Sequence, residues 1–191
     1  MEKRDSNIKS FTPKSREDWR KWLEKNHEKE SKVALIKYKK HTGKPTVKSK
    51  EAMEEAICFG WIDTTVNRLD EDRYIQHFSK RNKNSKWSYN TLSYAKKLIK
   101  EGKMTPVGLK MYKEGLAKLP HDHGIPKNPE VPKDLKTLLN QNKKAKENFD
   151  NLSSSVRRTY LRWLLRAKML ETKNKRMKLI IDNLEKNKRL F

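Results

Sequence analysis

The sequence predicts an α+β fold, a small antiparallel sheet packed with helices and followed by an all-helical C-terminal module. Three observations carry this reading. Trp61–Leu69 and Arg73–Lys80 read as strands rich in β-branched and aromatic residues, separated only by the turn Asp70-Glu71-Asp72. Elsewhere helical periodicity recurs, and most runs open on a Ser, Thr or Asn in capping position. Four of the seven prolines crowd residues 120–132, and everything after them reads as helix.

Residues 1–14 read as a flexible arm carrying Phe11, and residues 15–119 as the α+β domain. Ser15 and Asp18 form an S-x-x-D cap for a helix from Arg16 to about Lys29, with Trp19, Trp22 and Leu23 on one stripe. Lys32–Lys39 is short, partly β-branched and continuously apolar at its centre, as a buried strand is. A turn at His41–Pro45 follows. Ser49 is expected to cap a helix from Lys50 to Phe59, with Gly60 in the left-handed position beyond it. After the hairpin, Ser88 caps a helix that runs to Lys100 and ends at Gly102. Thr105-Pro106 opens another that runs to about Lys118.

Residues 120–131 read as a Pro-rich linker and 132–191 as the helical module. Pro132 starts one helix, Asn142 caps a second and Ser153–Ser155 open a third. In the third, Val156, Tyr160, Trp163, Leu164, Ala167 and Leu170 recur at helical spacing. Thr172 is expected to cap the last, with Met177, Ile180, Ile181 and Leu184 on its apolar face.

The 191 residues include 47 basic and 24 acidic side chains, a net charge of +23. The excess is spread: residues 1–120 carry 29 basic and 16 acidic groups, residues 121–191 carry 18 and 8. Lysines outnumber arginines 35 to 12, which favours a solvated lysine coat over bidentate phosphate recognition. Nucleic acid is the alternative partner for that charge. The single cysteine, Cys58, excludes an intrachain disulfide and points to a reducing compartment, so a cytoplasmic location is expected. Met1–Asp18 lacks the apolar stretch of a signal peptide, and no run of about 18 apolar residues exists, so no integral membrane association is expected. The sequence has no Walker loop, G-x-S-x-G elbow, H-E-x-x-H helix or paired-cysteine zinc signature. His121 and His123 lack a third ligand at metal-binding spacing. No cofactor or metal is expected.

Chemistry-bearing residues concentrate between Glu51 and Asn90. Glu51, Glu55 and Cys58 fall on one helical face, and strand alternation places Trp61, Asp63 and Thr65 on one side, with Arg68 closing the segment. Cys58 lies at the negative end of its helix, which disfavours a thiolate and favours a structural role over a redox or catalytic one. The run Lys80–Asn90 is dense in donors and leads into a helix N-terminus. Free N–H groups, Arg81, Ser85 and Ser88 there suit a phosphate or carboxylate, with Trp87 and Tyr89 as aromatic flanks. The competing reading is that the serines only cap the helix and Trp87 belongs to the core. The candidate ligand-binding set is Glu55, Trp61, Asp63, Arg68, Arg81, Ser85, Trp87, Ser88 and Asn90. Its expected partner is a small anionic ligand or an acidic peptide. Nucleic-acid binding through the basic surface is the alternative, and an enzyme using Glu55 or Asp63 as base is the second.

Glu55-Ala56-Ile57-Cys58-Phe59-Gly60-Trp61-Ile62-Asp63 resembles a signature of the YdeI/OmpD-associated family, also called bacteriocin-protection proteins. Arg81, Ser85, Trp87-Ser88 and Asn90 resemble a second motif, and Gly102–Leu109 a third. Val131-Pro132-x-Asp134-Leu135 and Ala167-Lys168…Glu171-Thr172…Arg176 resemble its C-terminal part, so the likeness spans about residues 11–186. Thr64 stands where the family usually has glycine, Lys80 where it has proline, and Asn174-Lys175 dilute an arginine-rich stretch. The resemblance implies an accessory role in stress tolerance and assigns no chemistry.

Overall fold

The computed structural model describes residues 8–191. Its first compact unit, ending at Pro120, holds a four-stranded sheet with four helices; the second, His121–Phe191, is helical. The α+β reading therefore stands.

In the first unit Ser15 accepts a hydrogen bond from the Asp18 N–H and opens α1 (Arg16–Asn26), which buries Trp19 and Leu23. β2 (Lys32–Tyr38) lies between β1 (Ser10–Phe11) and β4 (Arg73–Lys80), and β3 (Trp61–Arg68) is the outer strand beyond β4. β2 and β3 each pair antiparallel with β4, placing Ile36 opposite Ile75 and Trp61 opposite Lys80. β1 pairs parallel with β2, Phe11 opposite Leu35, so the sheet is mixed and part of the expected arm belongs to it. Residues 1–7 of that arm lie outside the described residues. The alternation expected along β3 also breaks. The register shifts between Asp63 and Val66, where Thr64 and Thr65 both face His77, and a β-bulge re-aims the strand.

α2 (Ser49–Cys58) starts one residue earlier than expected, with Lys48 rather than Ser49 at its cap. The Glu51 carboxylate accepts from the Lys48 N–H at 3.1 Å, while the Ser49 hydroxyl accepts from Lys37 Nζ at 3.0 Å. Ser49 is thus engaged by the sheet, and the cap moves back. Gly60 follows at φ 72°, the left-handed turn that leads straight into β3. Ser88 caps α3 (Tyr89–Lys100), and Thr105 caps α4 (Pro106–Leu116) with Pro106 in its first turn. The unit's core gathers Trp19, Leu23, Val33, Leu35, Ile57, Trp61, Phe78, Trp87 and Leu98.

The second unit packs α5 (Lys133–Gln141), α6 (Lys143–Asp150), α7 (Ser154–Leu165) and α8 (Leu170–Glu185) around Leu135, Phe149, Tyr160, Leu164, Ile180 and Leu184. Asn142 and Ser153 cap α6 and α7 as expected. α8 begins at Leu170 behind Met169, so Thr172 lies inside it rather than at its cap. Arg162 holds the segment before α5, donating to Asp122 Oδ2 at 2.9 Å and to the carbonyls of Ile125 and Pro126. No helix among the described residues is long and apolar enough to cross a membrane.

Candidate functional site

Arg81 follows β4 directly, and its N–H bonds the Gly60 carbonyl at 2.9 Å, so the turn before β3 fixes its backbone. The residue is only 5% exposed. Nη1 donates to the Lys86 carbonyl at 3.3 Å, closing the loop Asn82–Lys86 over the guanidinium. Within that loop the Asn82 N–H donates to Ser85 Oγ at 3.0 Å and the Ser85 N–H to the Asn82 carbonyl at 2.9 Å. Asn84 N–H donates to Asn82 Oδ1 at 2.8 Å. The loop is a self-bonded turn with its lysines exposed.

The guanidinium lies 3.8 Å from the centroid of the Trp87 ring. Trp87 is 3% exposed, meets Tyr112 edge-to-face at 6.1 Å and presses on α4 at Gly115. A Cβ on Gly115 would lie 2.3 Å from the indole nitrogen, so only glycine lets the ring approach. The indole is thereby fixed, and it fixes the plane of the arginine.

Arg81 Nε and Nη2 are both buried, and neither has a hydrogen-bond partner. These two nitrogens form the side-on fork that matches the two oxygens of a carboxylate or phosphate. Among the described residues Arg81 forms no ion pair. Asp63 lies near enough for its charge to favour the protonated arginine. Burial outweighs it and pushes the guanidinium pKa down to about 10. Each unmatched buried donor costs about 1–3 kcal/mol, so the fork is a standing electrostatic deficit that an anion would relieve.

The other candidates scatter around this corner. Asp63 is exposed on β3. Ser85 belongs to the loop, Ser88 caps α3, and Asn90 is exposed in its first turn. Arg68 is exposed near the tip of the hairpin and pairs with Glu71. Trp61 is fully buried in the core, edge-on to Trp22 at 6.0 Å, with its indole N–H unpartnered. Glu55 belongs to a separate network: Oε1 accepts from Arg16 Nε at 2.5 Å and Oε2 from Arg20 Nη1 at 2.8 Å. Arg16 also reaches Glu54 at 2.9 Å. Beside this network, burial and then Glu55 push the Cys58 thiol up to about 11, which keeps it inert.

Sequence reasoning passed over three partners. Arg16 and Arg20, four apart on α1, clamp Glu55 from 39 and 35 residues away. Lys37 is fully buried, with Nζ bonded to Ser49 Oγ and Gln76 Oε1 at 3.0 and 3.1 Å. Its alternation with Val33 and Leu35 was the readable sign that it faces the core. Two surface cavities, of about 560 and 170 Å³, lie in the second unit, and none of the nine candidates lines them. Among the described residues no group of three His, Cys, Asp or Glu gathers as for a metal ion.

A small mixed-sheet domain with a buried arginine–indole corner, joined to a helical unit, is the class the structure defines. The chain belongs to the family described as "Domain of unknown function (DUF8412)", which matches residues 11–111, more than half its length. Residues 128–187 match the family described as "Bacteriocin-protection, YdeI or OmpD-Associated". The YdeI/OmpD-associated likeness is thus carried by the helical unit, whereas all nine candidate residues fall in the segment of unknown function. No curated protein and no solved structure matches the chain.

Proposed function

We propose that this is a binding protein for a small anionic group, carboxylate or phosphate, held on the Nε/Nη2 edge of Arg81. The observation that carries the reading is the buried, unmatched fork stacked on Trp87. An arginine with so little exposure is ordinarily paired with a carboxylate; even the less buried Arg162 is paired with Asp122. Asp63 favours the charge of Arg81 without forming an ion pair with it. The ligand enters from the loop side, where Asn82, Lys83, Asn84 and Lys86 are exposed and favour negative charge. The acidic end of a peptide fits the same chemistry. The bacteriocin-protection match of the helical unit supports an accessory, stress-tolerance role.

The enzyme reading is weaker, because both oxygens of Glu55 are taken by arginines and Asp63 stands in solvent. Thermal-shift titration with acetate, phosphate and short acidic peptides tests the proposal. A ligand at 100 times its dissociation constant stabilises by about 2.7 kcal/mol. Arg81→Lys keeps the charge but lacks the fork, and should abolish the shift. An equal shift in Arg81→Lys would sink the proposal.

A further inference from the structure

The positive charge of the second unit is unevenly placed. Residues 121–156 carry six basic and five acidic side chains, whereas residues 157–191 carry twelve and three. Six of the chain's twelve arginines lie in that last stretch. Arg158, Arg162 and Arg166 recur at four-residue spacing along α7 and its C-terminal cap, so they share a stripe. Among the described residues Arg162 is the only one of the six paired with a carboxylate. Arg166, exposed at the end of the stripe, forms no ion pair among the described residues; partial burial and then the charge of Arg162 push its guanidinium pKa down, while Asp122 works against that shift. Arg176 of α8 stacks on Trp163 at 4.6 Å and donates to its carbonyl.

The same helix carries Tyr160 and Trp163, which pack against Phe191. Phe191 is 67% exposed and meets Tyr160 and Trp163 edge-to-face at 5.9 and 5.6 Å. Beside it, Ser155, Thr159 and Arg189 line the cavity of about 170 Å³ together with Tyr160 and Phe191. Thr159 and Arg166 are about 10 Å apart along the helix, on the scale of a few nucleotides. Exposed guanidiniums next to an exposed ring are the two elements of sequence-tolerant single-strand binding: charge follows the backbone, and the ring stacks a base.

We propose that α7 and residues 186–191 form a binding face for single-stranded nucleic acid, with phosphates on Arg166 and Arg189 and a base stacked on Phe191. A duplex offers no free base face to Phe191. This face lies in the second unit, so it stands independently of the Arg81 site.

Fluorescence anisotropy of the full chain with a labelled dodecamer, over a salt series, tests it. Arg166→Glu with Arg189→Glu should lower the slope of log affinity on log salt by about 1.4, roughly 0.7 for each phosphate no longer neutralised. Phe191→Ala should weaken single-strand binding by about tenfold and leave the slope unchanged. Lys96→Glu with Lys100→Glu makes the same charge change on exposed residues of α3, and circular dichroism verifies that every variant is folded. Three results would each overturn the proposal: no oligonucleotide binding at physiological salt, an equal loss in the α3 variant, or no effect of Phe191→Ala.

Discussion

Gly115→Ala is a small change with a large expected effect. Gly115 lies in the last turn of α4, where alanine is intrinsically favoured by about 1 kcal/mol. If propensity alone decided, the variant would be more stable. The added Cβ, however, would lie 2.3, 2.4 and 2.8 Å from three atoms of the Trp87 indole. That ring is buried and rigid, bounded by Tyr112 on one side and the Arg81 guanidinium on another. It must therefore move by about an ångström, and overpacking of this kind costs about 1–3 kcal/mol. Displacing the ring also weakens a desolvated cation–π interaction worth up to about 2 kcal/mol. The clash and the weakened stacking outweigh propensity, giving a net destabilisation of about 1–3 kcal/mol. Urea unfolding followed by tryptophan fluorescence reads this directly. A midpoint above wild type would show that the indole is not wedged against α4, and that Arg81 is not held in place by it.

Glu55→Gln should destabilise by about 3 kcal/mol, because it leaves Arg16 and Arg20 facing a neutral amide; their partial exposure keeps the loss at the lower end for a buried pair. Denaturant midpoints check it. Burial pushes the Lys37 ammonium below its ordinary pKa. The unfolded chain then binds more protons, so this lysine makes stability rise with pH from its lowered pKa up to the ordinary value of about 10.4. Lys37→Met should flatten that rise relative to wild type, as measured by unfolding at a series of alkaline pH values. Cys58 should resist thiol reagents at mildly alkaline pH in the folded protein and react once urea is added, because burial both covers its thiol and pushes its pKa up to about 11. Rapid labelling of the native protein would contradict its burial.

Local signals in this chain were readable wherever the chain itself supplied the partner. Ser15, Ser88, Thr105, Asn142 and Ser153 each accept from a backbone N–H three residues on, and each could be named from spacing. The hairpin was likewise written in two runs and an acidic turn. β1 was not, because two residues carry no period and their pairing with β2 is long-range. The Ser49 cap failed because Lys37, twelve residues back, takes its hydroxyl. At the site, the donor-rich loop and Trp87 could be picked out, but not which arginine would be left unmatched. Arg68 and Arg81 look alike in sequence, yet Arg68 stands in solvent beside Glu71 while Arg81 is sealed over an indole. Burial and the fate of each hydrogen-bonding edge are tertiary properties, set here by Gly115, Gly60 and the Lys86 carbonyl.

The central claim concerns two hydrogens on one side chain, and nuclear magnetic resonance observes one of them directly. The Arg81 Nε–H resonance, assigned by its loss in Arg81→Lys, should move downfield and saturate as acetate or phosphate is added, while the Arg68 resonance stays put. If the Arg81 resonance does not move at saturating concentrations of either anion, its fork is not an anion site and the proposed function is wrong.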